Sequence, residues 1–182
     1  RDHLAAALWS EAEADEAYSS FEITLYRLRR LIGIDGALVL SNGLLTIDNR
    51  LCWVDVWSFE QAATRAEIIL SSPEPDIAEL SFLLSATLSL YHGQFLGRET
   101  PQSWSISLRE RLRSKFLRHL LDVARHWERI GRHDAAIQCY QKGLEVDDLA
   151  EIFYQRLMVC YQMLGRKSEA LFPAARQRAG QL

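Results

Sequence analysis

Three cysteines, Cys52, Cys139 and Cys160, are all that the 182 residues hold, and no two stand at CxxC spacing. An odd number of distant thiols indicates neither a disulfide framework nor a zinc site, so buried, reduced cysteines are expected. No apolar run approaches the roughly 18 residues that a membrane-spanning helix needs. No signal-peptide apolar segment opens the chain either, and a cytoplasmic protein without a membrane partner is the expectation. Neither sign of charge dominates: 21 basic side chains stand against 24 acidic ones, a net charge of −3. This balance excludes a surface coated throughout with nucleic-acid-binding charge, while leaving room for a local basic face. Enzyme signatures are missing as well, with no GxxxxGK[ST] phosphate loop, no HExxH and no GxSxG. We therefore expect no catalytic residue, no metal and no cofactor.

What is present is an ordinary globular balance, 48% hydrophobic and 25% charged, long enough for one large core or two small ones. Arg1 rather than Met stands first and leads directly into a helical pattern, so the chain reads as a fragment of a longer protein. The C-terminal third repeats itself. Shifted by 34 residues, Trp127 falls on Tyr161, Ile130 on Leu164, Gly131 on Gly165, Arg132 on Arg166 and Ala136 on Ala170. Thirty-four is the tetratricopeptide period, and the matched positions are those a helix hairpin needs: a large aromatic, a glycine at the turn, and alanine where helices approach closely. Such hairpins cannot bury their apolar faces alone and must stack on neighbours.

The coarse reading is mainly helical. Ser103 is expected to cap a long amphipathic helix, Trp104 to Ile130, which Gly131 ends. His133–Val146, Leu149–Leu164 and Lys167 to about Ala179 follow, with a kink expected at Pro173. Upstream, Val56–Leu70 and Asp76–Leu90 form another helix pair, punctuated by Ser71-Ser72-Pro73-Glu74-Pro75. The segment Tyr91–Gly97 reads as a loop. In the first fifty residues a short helix, Asp2–Trp9, precedes a second, capped by Asp15 and stopped at Ile32 by Gly33. Ala37–Leu40 and Leu44–Ile47 then read as a β-hairpin, because Asn42-Gly43 tolerates positive φ. Helix, helix and hairpin make the back half of a winged helix.

Several ordered motifs carry a resemblance. Leu25-Tyr26-Arg27-Leu28-Arg29-Arg30-Leu31, the hairpin, and Val54-Asp55-Val56-Trp57-Ser58-Phe59-Glu60 come first. Tyr91-His92-Gly93-Gln94-Phe95-Leu96, Trp104 with Arg109-Glu110-Arg111-Leu112, and Ala150 to Met158 follow. Together they resemble the antibiotic-regulatory-protein type of bacterial transcriptional activator, in which a response-regulator-type winged helix precedes a helical bacterial transcriptional activator domain. The resemblance implies the C-terminal part of a winged-helix DNA-binding domain over residues 1–52 and a tetratricopeptide-like activator domain over residues 53–182. It implies promoter DNA as a partner, once the missing front of the winged helix is supplied, with RNA polymerase as a second partner and self-association as a third. The other open reading is an interaction or ligand-sensing helical-repeat module that does not itself bind DNA.

In such winged helices the second helix lies in the major groove. At about 100° per residue, Ala17, Tyr18, Phe21, Leu25, Leu28 and Ile32 share one face of it, the core face. Ser19, Ser20, Ile23, Tyr26, Arg27 and Arg30 occupy the other. From periodicity alone that face is a solvated surface; with the resemblance it becomes the DNA-reading face. There Arg27 can fork onto guanine, Ile23 can touch a thymine methyl, and hydroxyls can reach phosphate. Arg29, nearer the core edge, is expected to be an ion-pair partner. The pattern departs from the family in three ways. The first winged-helix helix and the strands before it are absent, the tip Ser41-Asn42-Gly43 carries no cation, and Glu16 and Glu22 sit on or beside the reading helix.

Glu11 and Glu13 belong to an acidic turn that reads equally as solvated surface or as a polymerase contact. Arg111, Lys115, Arg118, Arg125, Arg129 and Arg132 fall in one sector of the long helix, opposite Leu112, Phe116, Leu120, Trp127 and Ile130. That sector is a polar back face, with docking of phosphate or an acidic partner as the second reading. His119, His126 and His133 recur every seven residues, about 10.5 Å of helical rise. That is too far to share one ion, so they are expected to be surface histidines.

Overall fold

The structure is a computed structural model that describes residues 1–97, 103–166 and 168–170. It is mainly helical, with one two-stranded antiparallel sheet among the described residues. The chain divides into two compact units, Arg1–Trp57 and Ser58–Leu182.

The first unit holds α1 (Asp2–Leu8), α2 (Ala14–Ile32), β1 (Leu38–Ser41) and β2 (Leu44–Ile47). Its small core gathers Ala5 of α1, Ala17, Phe21 and Leu25 of α2, and Leu38 of β1, with Trp9, Ile32, Leu40 and Leu45 packed around them. The buried stripe of α2 is narrower than periodicity implies. Ala17, Phe21 and Leu25, spaced four apart, are buried, whereas Tyr18 and Leu28 are about 40% exposed (39% and 41%). One thin hairpin cannot cover a wide helix face, so only the central stripe is sealed. The N-cap of α2 is Glu13, and Asp15 lies within the first turn, where its charge still complements the helix N-terminus. Gly33 ends the helix in the left-handed region, φ 67°, and its N–H donates to the Arg29 carbonyl at 3.0 Å. The strands pair in the register Ser41 with Leu44 and Leu38 with Ile47. Asn42 at φ 50° and Gly43 at φ 77° close the two-residue turn.

The second unit is built from α3 (Asp55–Leu70, whose first turn belongs to the preceding unit), α4 (Ile77–Leu90), α5 (Ser103–Arg129), α6 (His133–Val146) and α7 (Glu151–Met163). Asp76 caps α4, its carboxylate accepting from the N–H groups of Ala78 and Glu79 at 2.9 and 3.0 Å. Ser103 is the first residue of α5 itself. Phe116, Leu120, Val123 and Ala124 of α5 are fully buried, as are Ala136 and Tyr140 of α6 and Cys160 of α7. Ile130, placed on the core side by periodicity, is 44% exposed because α5 has already ended at Arg129.

The 34-residue match recurs as geometry. After α5, Gly131 adopts φ 75°, its N–H donates to Glu128, and the Arg132 N–H reaches back to the Trp127 carbonyl at 2.8 Å. After α7, Gly165 adopts φ 72°, its N–H donates to Gln162, and the Arg166 N–H reaches the Tyr161 carbonyl at 2.9 Å. Both are the same left-handed helix stop. Arg132 lies over the Trp127 ring and Arg166 over the Tyr161 ring, 5.7 and 5.3 Å from the centroids. Ala136 and Ala170 are both buried. Of the expected helix from Lys167 to Ala179, residues 168–170 are described and helical. Pro173 and its expected kink lie outside the described residues.

Candidate nucleic-acid interface

The face of α2 opposite Ala17, Phe21 and Leu25 is open. Ile23 is 52% and Tyr26 60% exposed, and Ser19, Arg27 and Arg30 are exposed too, while Ser20 is half-buried. The Ser19 hydroxyl donates to the Asp15 carbonyl at 2.9 Å, which holds it against its own helix. The Arg30 guanidinium lies 6.0 Å from the Tyr26 ring centroid, so these two side chains share one patch. No hydrogen bond or ion pair holds Arg27 among the described residues.

Arg29 behaves differently from its expected ion pairing. Its Nε and Nη2 both donate to the Leu38 carbonyl, at 3.2 and 3.0 Å, fastening α2 to β1. The partner is a main-chain oxygen left over at the strand end, which no side-chain pattern could reveal. Beyond the hairpin, Arg50 forks onto Asp48 at 3.0 and 2.6 Å. The Arg50 guanidinium and N–H hold the Asp48 carboxyl down to about 2. Glu11 and Glu13 are exposed in the α1–α2 turn. At the opening of the chain, Arg1 donates to the Tyr18 hydroxyl at 3.0 Å and lies 4.5 Å from that ring's centroid.

The basic sector of α5 divides in two. Three of its cations are engaged by α3: Arg111 pairs with Glu60 at 3.0 Å, and Lys115 donates to the Glu60 carbonyl and the Thr64 hydroxyl at 3.2 and 2.9 Å. Arg118 lies 4.0 Å from Glu67. Arg125 and Arg129 instead line a groove of about 700 Å³ together with Glu67, Leu70, Asp122 and Arg156. Burial pushes the Asp122 carboxyl up, against the pull of Arg125 and Arg118. Arg132 lies past the helix end and belongs to the α5–α6 turn.

His119 and His126 are not surface residues; they are 1% and 4% exposed. His119 Nε2 lies 2.9 Å from the Thr87 hydroxyl on α4, and that hydroxyl donates to the Leu84 carbonyl at 2.9 Å. The network therefore assigns the proton to Nε2. Burial, with Lys115 nearby, lowers the His119 pKa to about 4. His126 accepts at Nδ1 from Arg129 at 3.1 Å, and burial, then Arg129, lowers its pKa too. These rings are amphipathic packing groups, which a seven-residue spacing by itself does not distinguish from surface ones.

Several motif residues find a packing role. Phe59, Tyr91 and Phe116 form an aromatic trio, with Tyr91 stacked on Phe116 at 4.0 Å and 9°. Arg109 donates to the Leu96 carbonyl at 2.7 Å, so the helix holds the loop that starts at Tyr91. One tie escaped the sequence reading: Glu128 of α5 receives both Arg156 of α7, with Nε at 3.0 Å, and the Tyr140 hydroxyl of α6. Glu128 is 9% exposed at its side chain, making this a largely buried tie among three helices. Partners 12 and 28 residues apart leave no periodic signal.

Among the described residues no helix is long and apolar enough to cross a membrane, and no cluster of His, Cys, Asp and Glu is placed to hold a metal. The second unit is thus a stack of helices tied together by charged side chains, with grooves between them. The family model for the bacterial transcriptional activator domain matches residues 54–177, and the chain belongs to that family. It is accordingly a regulator of the transcriptional-activator type, and the family is regulatory rather than catalytic. No curated protein matches the chain.

Proposed function

We propose that residues 1–52 are the C-terminal part of a winged-helix DNA-binding domain and residues 53–182 a tetratricopeptide-type activator domain that makes protein contacts or responds to a signal. The observation that carries the DNA reading is the α2 face. Ile23, Tyr26, Arg27 and Arg30 stand exposed on one side of a helix whose other side is anchored by Phe21 and Leu25. A helix so mounted can enter a major groove, where Arg27 and Ile23 read base edges while Arg30 and Ser20 hold phosphates. The exposed Glu11 and Glu13 suit a contact with a basic surface of RNA polymerase. Such a protein acts in the cytoplasm.

The test uses a protein carrying a complete winged helix. Arg27→Ala should cost about 1–3 kcal/mol on the cognate site and relax discrimination at one base pair. Arg30→Ala should weaken cognate and random DNA alike and flatten the salt dependence, since a phosphate contact carries no sequence information. Promoter binding unchanged in both variants would remove α2 as the reader. The alternative, an interaction or ligand-sensing module without its own DNA binding, would then stand; the clefts between the helices of the second unit favour it.

A further inference from the structure

The two helix stops that repeat at 34 residues differ in one chemical respect. Arg166 is saturated by carboxylates: Nε and Nη2 donate to Glu169 at 2.7 and 2.6 Å, and Nη1 to Asp134 at 3.2 Å. Arg132 has the same backbone geometry and the same stacking on an aromatic ring, but among the described residues no carboxylate pairs with it. The sequence explains why. Thirty-four residues before Glu169 stands Ala135, and before Asp134 stands Thr100. Arg132 and Ala135 instead line a cleft of about 190 Å³ between α4 and the α5–α6 turn.

The remaining walls are mainly apolar; their polar groups are the Gln138 amide and the Ser81 and Ser85 hydroxyls, which donate to the Ile77 and Ser81 carbonyls of their own helix. Leu84 and Leu88 of α4 are half-buried there, opposite Trp127 and beside Gln138. From Leu80 to Tyr91 the α4 side carries no charged residue, so nothing on that wall competes for the guanidinium. We propose that this cleft binds a small organic acid, Arg132 taking its carboxylate and Leu84, Leu88 and Trp127 its apolar body. A bound carboxylate would stand where Glu169 stands in the second repeat, giving Arg132 the charge-assisted pairing that Arg166 already has. The volume lies below the roughly 300–1,000 Å³ of drug-sized pockets, which limits the ligand to a short-chain or single-ring acid.

The experiment measures binding to the whole 182-residue chain by calorimetry and thermal shift, with hexanoate and phenylacetate as probes and hexanamide and phenylacetamide as uncharged controls. Saturable binding of the acids, with the amides at least tenfold weaker, is expected. Arg132→Gln should weaken the acids about tenfold to a hundredfold, in keeping with the loss of a charge-assisted hydrogen bond. Ala135→Glu, which installs the carboxylate of the second repeat, should abolish acid binding, and Arg166→Gln should leave it unchanged. No acid binding, equal binding of acids and amides, or full binding in Arg132→Gln would each overturn the proposal. A peptide carboxyl terminus that binds where the small acids do not would overturn it too. No DNA enters the assay, so its outcome is separate from that of the α2 reading.

Discussion

Replacing Gly143 by alanine sets two effects of opposite sign against each other, and the structure decides which prevails. Gly143 lies inside α6, where alanine is favoured over glycine by about 1 kcal/mol of helix propensity. A Cβ there would meet Cε1, Cζ and Cδ1 of Phe153 at 2.7, 2.8 and 3.0 Å. Ordinary carbon contacts are about 3.5–4.0 Å, so the ring would have to retreat by roughly 0.5–1 Å. It has little room: Phe153 is 2% exposed, and the Tyr140 ring, fully buried, lies 5.9 Å from it. Tyr140 is held in turn by its hydroxyl on Glu128. Overpacking costs about 1–3 kcal/mol, and three ring carbons at 3.0 Å or less with no room to yield put this case in the upper part, about 2–3 kcal/mol, so Gly143→Ala should be destabilising by about 1–2 kcal/mol after the propensity gain is subtracted. Urea denaturation should show a lower midpoint with an unchanged slope. Adding Phe153→Leu should relieve part of the loss, because the two sites are in contact and their effects cannot add. A Gly143→Ala protein as stable as the parent would refute the reasoning, since propensity alone would then be deciding the outcome.

Trp127, 3% exposed, should cost about 3–5 kcal/mol as Trp127→Ala, and a thermal melt that does not move would contradict the packing described for the α5–α6 hairpin. Arg156→Leu leaves the largely buried Glu128 carboxylate without its cation; because Arg156 is 34% exposed at its side chain, the expected loss is about 1–3 kcal/mol rather than the full value of a dry ion pair. The double variant with Glu128→Gln should recover part of that loss in a double-mutant cycle. His119 is held neutral in the fold, with its pKa lowered from 6.5 to about 4, so the unfolded chain takes up the proton first. Its stabilising contribution is present above about pH 6.5 and is lost as the pH falls towards 4, an effect of roughly 3 kcal/mol. In His119→Leu the stability profile over that range should flatten, and an unchanged profile would assign the acid sensitivity elsewhere.

The local rules of the chain determined its elements. Left-handed stops at Gly33, Gly131 and Gly165 and the Asn42-Gly43 turn are decided by neighbouring backbone sterics and hydrogen bonding, so their residues announce them. The 34-residue match was equally legible, because it places the same aromatic, glycine and alanine in the same local geometry twice. Tertiary structure alone decided which faces those elements bury and which charges meet. Tyr18 and Leu28 fit an apolar stripe but stay exposed, since a two-stranded hairpin covers too little of α2. His119 and His126 look like surface residues until α4 closes over the first and Arg129 takes the second. The apparent basic face of α5 is partly a seam with α3, through Glu60 and Glu67. The tie among Glu128, Tyr140 and Arg156 joins three helices. Contacts between residues distant in the chain depend on where whole helices come to rest. That placement is set by the summed burial of many side chains, which no short window of sequence contains.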